Sequence, residues 1–335
     1  MIKRTIVTVE SHTAGEPTRI IIGGIPHLPG RNMMEKKEYF RQNLDFLRTA
    51  LMQEPRGHRD MFGALVVAPC DDEADLGVVF MDSDGYADMC GHGSLGLMTM
   101  AVETGMVEAV EPITKVNLDT PAGLVRGEVA VRNGSIESAT LRNVPSFLYK
   151  STSLKVAEIG EVPVDIAFGG NFYALVSAEH IGVEISISNS AELIRAGVMI
   201  KEAANREIKI EHPEKPEINQ VFGTRIYDGK PTHPEAQVRN FMVLGDGYLD
   251  RSPCGTGTSA HIAMLYAKGQ LKLNELSVHE SIIGTTFSAR ALEEVMVGDY
   301  QAIIPEITGR AFITGMCTWT IDPADPVKYG FLLRG

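Results

Sequence analysis

The sequence predicts a mixed α/β (α+β) chain made of two similar halves, each wrapping short strands around a buried central helix. The first observation is an internal echo: Cys90-Gly91-His92-Gly93-Ser94 recurs 164 residues later as Cys254-Gly255-Thr256-Gly257-Thr258, a shared C-G-x-G-[ST] pattern. The second is that the echo continues. Met100 and Met264 lie ten residues after their cysteine, and Gly105 and Gly269 lie fifteen after, where a glycine ends a helix. The third is the character of the intervening stretches: LGLMTMAVET and SAHIAMLYAK are apolar on nearly every side, as a helix buried within its domain must be. A period this long, occurring twice, describes a two-domain pseudo-dimer with a cleft between similar halves rather than a solenoid.

The remaining elements follow from local pattern. TRIIIGG, GALVVAPC, LGVVFMD, EVAVRN and TGMCTWTI are short apolar stretches bounded by turn-forming residues, and read as strands. MEKKEYFRQNLDFLRTALMQ carries apolar residues at Tyr39, Phe40, Leu44, Phe46, Leu47 and Leu51, close to a 3.6 period, and reads as an amphipathic surface helix. SAELIRAGVMIKEAANREI is a second helix of that kind. No Gly/Ser linker separates the halves, so the boundary is expected to be a tight crossover at NVPSFLYKSTS, near residues 143 to 153. The first half is placed at 1–145 with a C-terminal return over 318–335, and the second at 146–317.

Composition excludes several function classes. The chain has 335 residues, 44% of them hydrophobic, which is enough for one or two full cores. Its formal charge of −12 leaves no basic footprint for nucleic acid or anionic lipid. The opening MIKRTIVTVESHTAGEP is too short in apolar residues for a signal-peptide core, and no later run reaches transmembrane length, so no membrane partner and a cytoplasmic location are expected. Cys70, Cys90, Cys254 and Cys317 are scattered, with neither a CxxC pair nor histidines at zinc spacing; no disulfide scaffold and no metal are expected. Free cysteines in a reducing compartment default to small buried hydrophobes. Cys90 and Cys254 depart from that default because each stands before an apolar helix.

A helix amino terminus leaves backbone N–H groups unpaired and carries partial positive charge, so it attracts anions and lowers the pKa of a thiol placed there. Two such termini aimed at one spot would hold a carboxylate and leave a thiol on either side of the adjacent carbon. One thiolate would remove the α-proton from one face while the opposite thiol returns a proton to the other. A thiol ordinarily near pKa 8.5 is expected to move toward neutrality here, with a second thiolate disfavoured by repulsion. The scheme requires no cofactor. Two other readings use the same residues. Gly91-His92-Gly93-Ser94-Leu95-Gly96 formally matches a dinucleotide fingerprint, but no βαβ pattern surrounds it. A cysteine nucleophile with His92 as base is the other, and two cysteines in equivalent settings argue against it.

ESHTAGEPTR at 10–19, EPRGHRDMFGA at 54–64, DMCGHGS at 88–94 and DRSPCGTGTSA at 250–260 closely resemble the proline racemase family. The similarity runs on through GGIPHLPG, AFGGNFYAL, PTHPEA and DPVKYGF. It implies a diaminopimelate epimerase-like fold of two pseudo-symmetric α/β domains with the active site in the interdomain cleft, a small amino or imino acid as substrate, no cofactor and a homodimer. By resemblance, Cys90 and Cys254 are the acid/base pair, and the backbone amides of Gly91, His92, Gly255 and Thr256 hold the substrate carboxylate. Asp250 and the His92 side chain would contact the substrate amine. Read without the family, Asp250 also fits a strand-end or turn carboxylate and His92 a capping residue.

The family includes proline racemases, 4-hydroxyproline 2-epimerases and trans-3-hydroxyproline dehydratases. Dehydratase members carry threonine at the second cysteine, so Cys254 favours a racemase or epimerase. Phe62 resembles the aromatic wall of proline-specific members, whereas Leu244 stands where proline racemases tend to have a second phenylalanine. Proline racemase is therefore the first reading, and hydroxyproline 2-epimerase or a broader amino-acid racemase the alternative; outside the enzymes, a carboxylate-binding protein without turnover uses the same helix ends. His58, Asp60 and His233 lack a third ligand at metal spacing and read as structural, with His233 also able to approach a hydroxylated substrate.

Overall fold

A computed structural model describes residues 3–333 of the chain. Two compact units emerge, one from the residues up to Thr140 with those from Arg310 onward, the other from Leu141–Gly309. In the first unit, strand Arg4–Thr13 lies between Ala311–Ile321 and Glu16–Gly23, antiparallel to both. The hairpin turns on Ala14 and Gly15 with φ of 52° and 94°, the two positive values that match the twist of the strands. Helix α1 (Met33–Met52) then makes the crossover to Phe62–Val67, which runs parallel to Glu16–Gly23. Leu76–Asp82 follows antiparallel, helix α2 (Gly91–Glu103) leads to the parallel strand Ile113–Thr120, and a hairpin adds Gly123–Arg132.

The second unit repeats this order. Gly160–Phe168 pairs antiparallel with Ser146–Val156 and with Phe172–Ser177. After the short helix α3 (Ala178–Ile181), helix α4 (Ser190–Glu207) makes the crossover to the parallel strand Val221–Asp228, and Val238–Leu244 follows antiparallel. Helix α5 (Gly255–Ala267) leads to the parallel strand Ser277–Glu280, followed antiparallel by Thr286–Val297 and Tyr300–Gly309. Ala302 and Ile303 pair back onto Phe147 and Ser146, which closes the ring. The repeat read from two cysteine motifs is thus a repeat of topology, with the same succession of parallel and antiparallel ladders in each unit.

The helices divide by pattern. In α1, Met33, Phe40, Leu47 and Leu51 form one buried face, packed on Ile21, Leu65, Val79 and Met81 on the outer side of the strands. Asn32 caps it by accepting the Glu35 amide at 2.8 Å. In α2 every residue from Gly91 to Val102 is buried, and in α5 every residue from Gly255 to Met264. Each touches strands on several sides of its own unit, so an apolar residue is favoured at every angle of the helix. Both end as the glycines predict: Gly105 and Gly269 have φ of 72° and 70°. At the second end the Gly269 and Gln270 amides donate to the Tyr266 and Leu265 carbonyls, closing the helix.

The unit boundaries differ from those read in the sequence. The chain leaves the first unit after Thr140 rather than 145, and returns at Arg310 rather than 318. NVPSFLYKSTS is mostly strand, since Ser146–Val156 pairs along its length with Gly160–Phe168. The return falls earlier because Ala311–Ile321 pairs from end to end with Arg4–Thr13, and a ladder is not divided between units. No helix among the described residues is long and apolar enough to cross a membrane.

Glycines that differ in their surroundings test this packing. Gly269→Ala meets open space but forces an L-residue to positive φ, with an expected loss of about 1 kcal/mol. Gly127→Ala drives a methyl into Met98 Sδ and the Val116 carbonyl, and should cost about 2–3 kcal/mol through overpacking. Urea denaturation midpoints of the two variants check the ranking.

Candidate active site

Cys90 is the N-cap of α2 and its Sγ accepts the Gly93 amide at 3.2 Å. Sulfur takes the place that a serine or aspartate oxygen normally fills, while helix geometry directs the N–H groups of Gly91 and His92 out of the helix end. Gly93 has to be glycine: a Cβ there would lie 3.0 Å from Sγ and 2.9 Å from the Phe80 ring. Nδ1 of His92 stands 3.3 Å from the Cys90 sulfur, and the His92 ring meets Phe62 edge to face at 4.7 Å between centroids. Thr13 donates to the His92 carbonyl at 2.9 Å and Ser94 to the Cys90 carbonyl at 2.7 Å, which fixes the turn from both sides. The structure therefore brings Cys90, Gly91, His92 and Phe62 together within the first unit.

Cys254 repeats the arrangement at α5, with Sγ accepting the Gly257 amide at 3.3 Å. A Cβ at Gly257 would crowd both Sγ and Met242 Cε. The backbone differs: Cys254 has φ of 63°, a strained value for an L-residue, whereas Cys90 is extended at −137°. Asp250 Oδ1 accepts from the amide and hydroxyl of Ser252, at 2.8 and 2.7 Å, and Ser252 Oγ in turn accepts the Cys254 amide at 3.1 Å. Asp250 thus has the turn role open to it from sequence. Thr256 Oγ1 lies 3.8 Å from the sulfur and 2.6 Å from the hydroxyl of Tyr173.

The expected fall of the thiol pKa is not what the second unit shows. Burial pushes the Cys254 thiol up to about 12, and the Asp250 carboxylate adds to it; the Gly257 amide, the Arg225 guanidinium and the Thr256 hydroxyl pull the other way and lose. A helix end falls off within a turn, while full desolvation penalises the thiolate outright. At neutral pH Cys254 is a thiol.

The other sequence candidates are spread more widely. Leu244 is buried and lies on the face of Val238–Leu244 shared with Met242, two residues away, and packs close over Gly223. His233 sits in the loop before that strand, where its amide donates to Glu280 and its Nδ1 accepts the Glu235 amide. His58 Nδ1 accepts the Asp60 amide at 3.2 Å in a turn leading to Phe62. Among the described residues, no three His, Cys, Asp or Glu side chains are grouped to hold a metal.

The sequence profile described as proline racemase matches residues 8–332. The chain belongs to the proline racemase family. It is 49% identical over 332 residues to a proline racemase of Clostridioides difficile, covering 99% of each chain. It is 45% identical, with the same coverage, to a 4-hydroxyproline 2-epimerase of Streptosporangium roseum. Among solved structures, a hydroxyproline epimerase from Agrobacterium vitis with bound trans-4-hydroxy-L-proline superposes with a TM-score of 0.93 at 34% identity, covering 98% of this chain and 96% of that one. The proline racemase family makes the chain an isomerase of the racemase and epimerase type, with the two-unit fold expected of it.

Sequence reasoning missed Phe80, Met242, Tyr173 and Arg225, which shape or brace the two cysteine turns. A further echo was available. Asp84-Gly85-Tyr86-Ala87-Asp88 matches Asp246-Gly247-Tyr248-Leu249-Asp250, with Met89 alone before Cys90 but Arg251, Ser252 and Pro253 before Cys254. It aligns Asp250 with Asp88, which is ion-paired to Lys37, and Phe80 with Met242. Arg225 and Tyr173 carry no such mark, since nothing at their positions repeats.

The raised Cys254 pKa sets a pH dependence. Iodoacetamide labelling of Cys254, followed by peptide mass spectrometry, should be slow at pH 7 and climb about tenfold per unit as the thiolate fraction grows. Asp250→Asn removes the anion that opposes ionisation, so labelling at pH 8.5 should quicken about three- to tenfold.

Proposed function

We propose that this protein is a proline racemase that interconverts L- and D-proline with Cys90 and Cys254 as paired acid and base, one on each face of the α-carbon. The observation that carries the reading is the matched pair of sulfur caps: each cysteine begins a buried helix and accepts its third amide, so each thiol stands beside N–H groups suited to a carboxylate. In one direction Cys90 thiolate takes the α-proton: the Cα–H bond breaks, its electron pair stays on the carbon, and an S–H bond forms. Cys254 then gives its proton to the opposite face. The high pKa of Cys254 supports its starting as the thiol. The nearness of His92 to the Cys90 sulfur supports its acting as partner to that thiolate, and in this reading His92 and Asp250 meet the substrate ammonium. In the other direction the roles exchange.

A second reading, 4-hydroxyproline 2-epimerase, is favoured by Leu244. Phe62 gives the Cys90 side an aromatic wall, buried and packed on His92, while Leu244 leaves the Cys254 side with a smaller aliphatic group. That asymmetry would admit a ring hydroxyl on one side only.

Incubation with L-proline in deuterium oxide should replace the α-proton and produce D-proline, read by NMR and chiral chromatography; a carboxylate binder gives neither. Cys90→Ser and Cys254→Ser should each lower the rate at least about a thousandfold, and full activity in either rejects the two-thiol scheme. Leu244→Phe should raise the ratio of proline to 4-hydroxyproline turnover, and an unchanged ratio removes Leu244 from specificity. Consumption of trans-3-hydroxyproline in a parallel reaction would identify a dehydratase instead.

A further inference from the structure

The two units repeat position by position, so a departure from the repeat is informative. Arg225 pairs across its ladder with Met242, and Ala64 with Phe80. Met242 and Phe80 are equivalent, each against the third residue of its central helix, Gly257 or Gly93. His279 stands opposite Val238, four residues before Met242, and Leu118 stands opposite Leu76, four before Phe80. His261 and Leu97 both fall seven residues after their cysteine. The unit carrying Cys254 therefore buries Arg225, His261 and His279 where the unit carrying Cys90 buries Ala64, Leu97 and Leu118. The fold does not require the polar set, because its sister builds the same topology around alanine and leucine.

Desolvating a guanidinium is strongly unfavourable unless opposite charge and hydrogen bonds offset it. Arg225 is 0% exposed. Its Nη1 donates to the carbonyl of Pro253, the residue before Cys254, at 2.9 Å, and to Thr258 Oγ1 at 3.3 Å. Its Nη2 donates to His279 Nδ1 at 2.9 Å. Arginine has no acceptor, so that nitrogen carries no proton, and Nε2–H of His279 donates to Ser277 Oγ at 3.0 Å. Burial holds both His279 and His261 well below the ordinary imidazole range, which leaves Arg225 as the cation of the cluster. The groups that hold its own pKa up against burial are Cys254, Asp250, Tyr227 and Tyr173, and the result is about 10.

We propose that Arg225 is a positioning residue for the reaction: it fixes the strained Cys254 turn through the Pro253 carbonyl and supplies the buried positive charge against which Cys254 becomes a thiolate when it acts as base. The inference rests on the two-thiol reading. It explains why one unit alone carries the cluster: Asp250 disfavours a second anion beside it, and Arg225 offsets that repulsion. His279 and Ser277 keep the guanidinium aimed at the turn.

The test compares the native protein with Arg225→Met, Arg225→Lys, and a triple variant, Arg225→Ala with His261→Leu and His279→Leu, that copies the residues of the sister unit. Iodoacetamide labelling at pH 8.5 is measured at Cys254 and Cys90 separately, alongside proline racemisation. Loss of the charge should slow Cys254 labelling about tenfold in Arg225→Met and in the triple variant, leave Cys90 labelling within twofold, and lower racemisation at least tenfold. Arg225→Lys, which keeps the charge, should recover most of the labelling rate. Native Cys254 labelling in a folded Arg225→Met or triple variant overturns the proposal, and so does a triple variant that fails to fold, because the cluster would then be a requirement of the fold. If the native protein itself exchanges no α-proton with proline or hydroxyproline, the two-thiol reading fails; native exchange with unaltered Arg225 variants sinks only the role of Arg225.

Discussion

The contact on which the candidate chemistry depends is the hydrogen bond from the third amide of a buried helix to the sulfur of its N-cap cysteine. An ordinary cap uses an oxygen and closes off the helix end. A sulfur cap satisfies one donor and leaves a reactive atom exposed to the same local field that orients the first-turn amides. The glycines follow from it. At Gly93 and Gly257 any side chain would strike the capping sulfur or the strand residue beyond it, so the C-G-x-G spacing records how closely the helix end meets its sheet. Burial of α2 as far as Val102 and of α5 as far as Met264 comes from the strands each helix meets on several sides, so the polar residues they carry are buried as well.

Much of this was legible in the sequence because it rests on short-range spacing. The cysteine, its third-residue glycine and the glycine that closes the helix lie within a few turns of one another, and local geometry fixes each of them. Helix α1 was legible for the same reason, its apolar face recurring along a single element. Unit boundaries were not. They depend on which strand Ala311–Ile321 pairs with, and that partner, Arg4–Thr13, is almost the length of the chain away. The ionisation of Cys254 was misjudged on similar grounds: the helix end is visible in the sequence, but the depth of burial and the distance to Asp250 are properties of the folded unit.

Of the residues singled out by resemblance, Phe62 gains a physical account, since its ring packs directly on His92 and through it bears on the Cys90 sulfur. Asp250 gains a second one. Through Ser252 it holds the amide of Cys254, so a carboxylate expected to meet substrate also shapes the turn. Leu244 has a close fit over Gly223, which explains its size.

Two helix ends of matching design do not give two thiols of matching behaviour. Cys90 stands in an extended backbone beside an imidazole, and Cys254 in a strained one beside a buried carboxylate and within reach of a buried guanidinium's field. A reaction that inverts one carbon by moving a proton from thiol to thiol works best when a single thiolate is present, because a second one repels the first and leaves nothing to donate. Identical surroundings would place that proton by chance. In the proposed reaction burial and Asp250 leave the proton on Cys254 before substrate arrives, and Arg225, at a position its sister fills with alanine, keeps that proton's removal accessible. The repeat supplies the two reactive faces, and the departure from the repeat lets the thiol that begins as the acid serve as the base when the roles exchange.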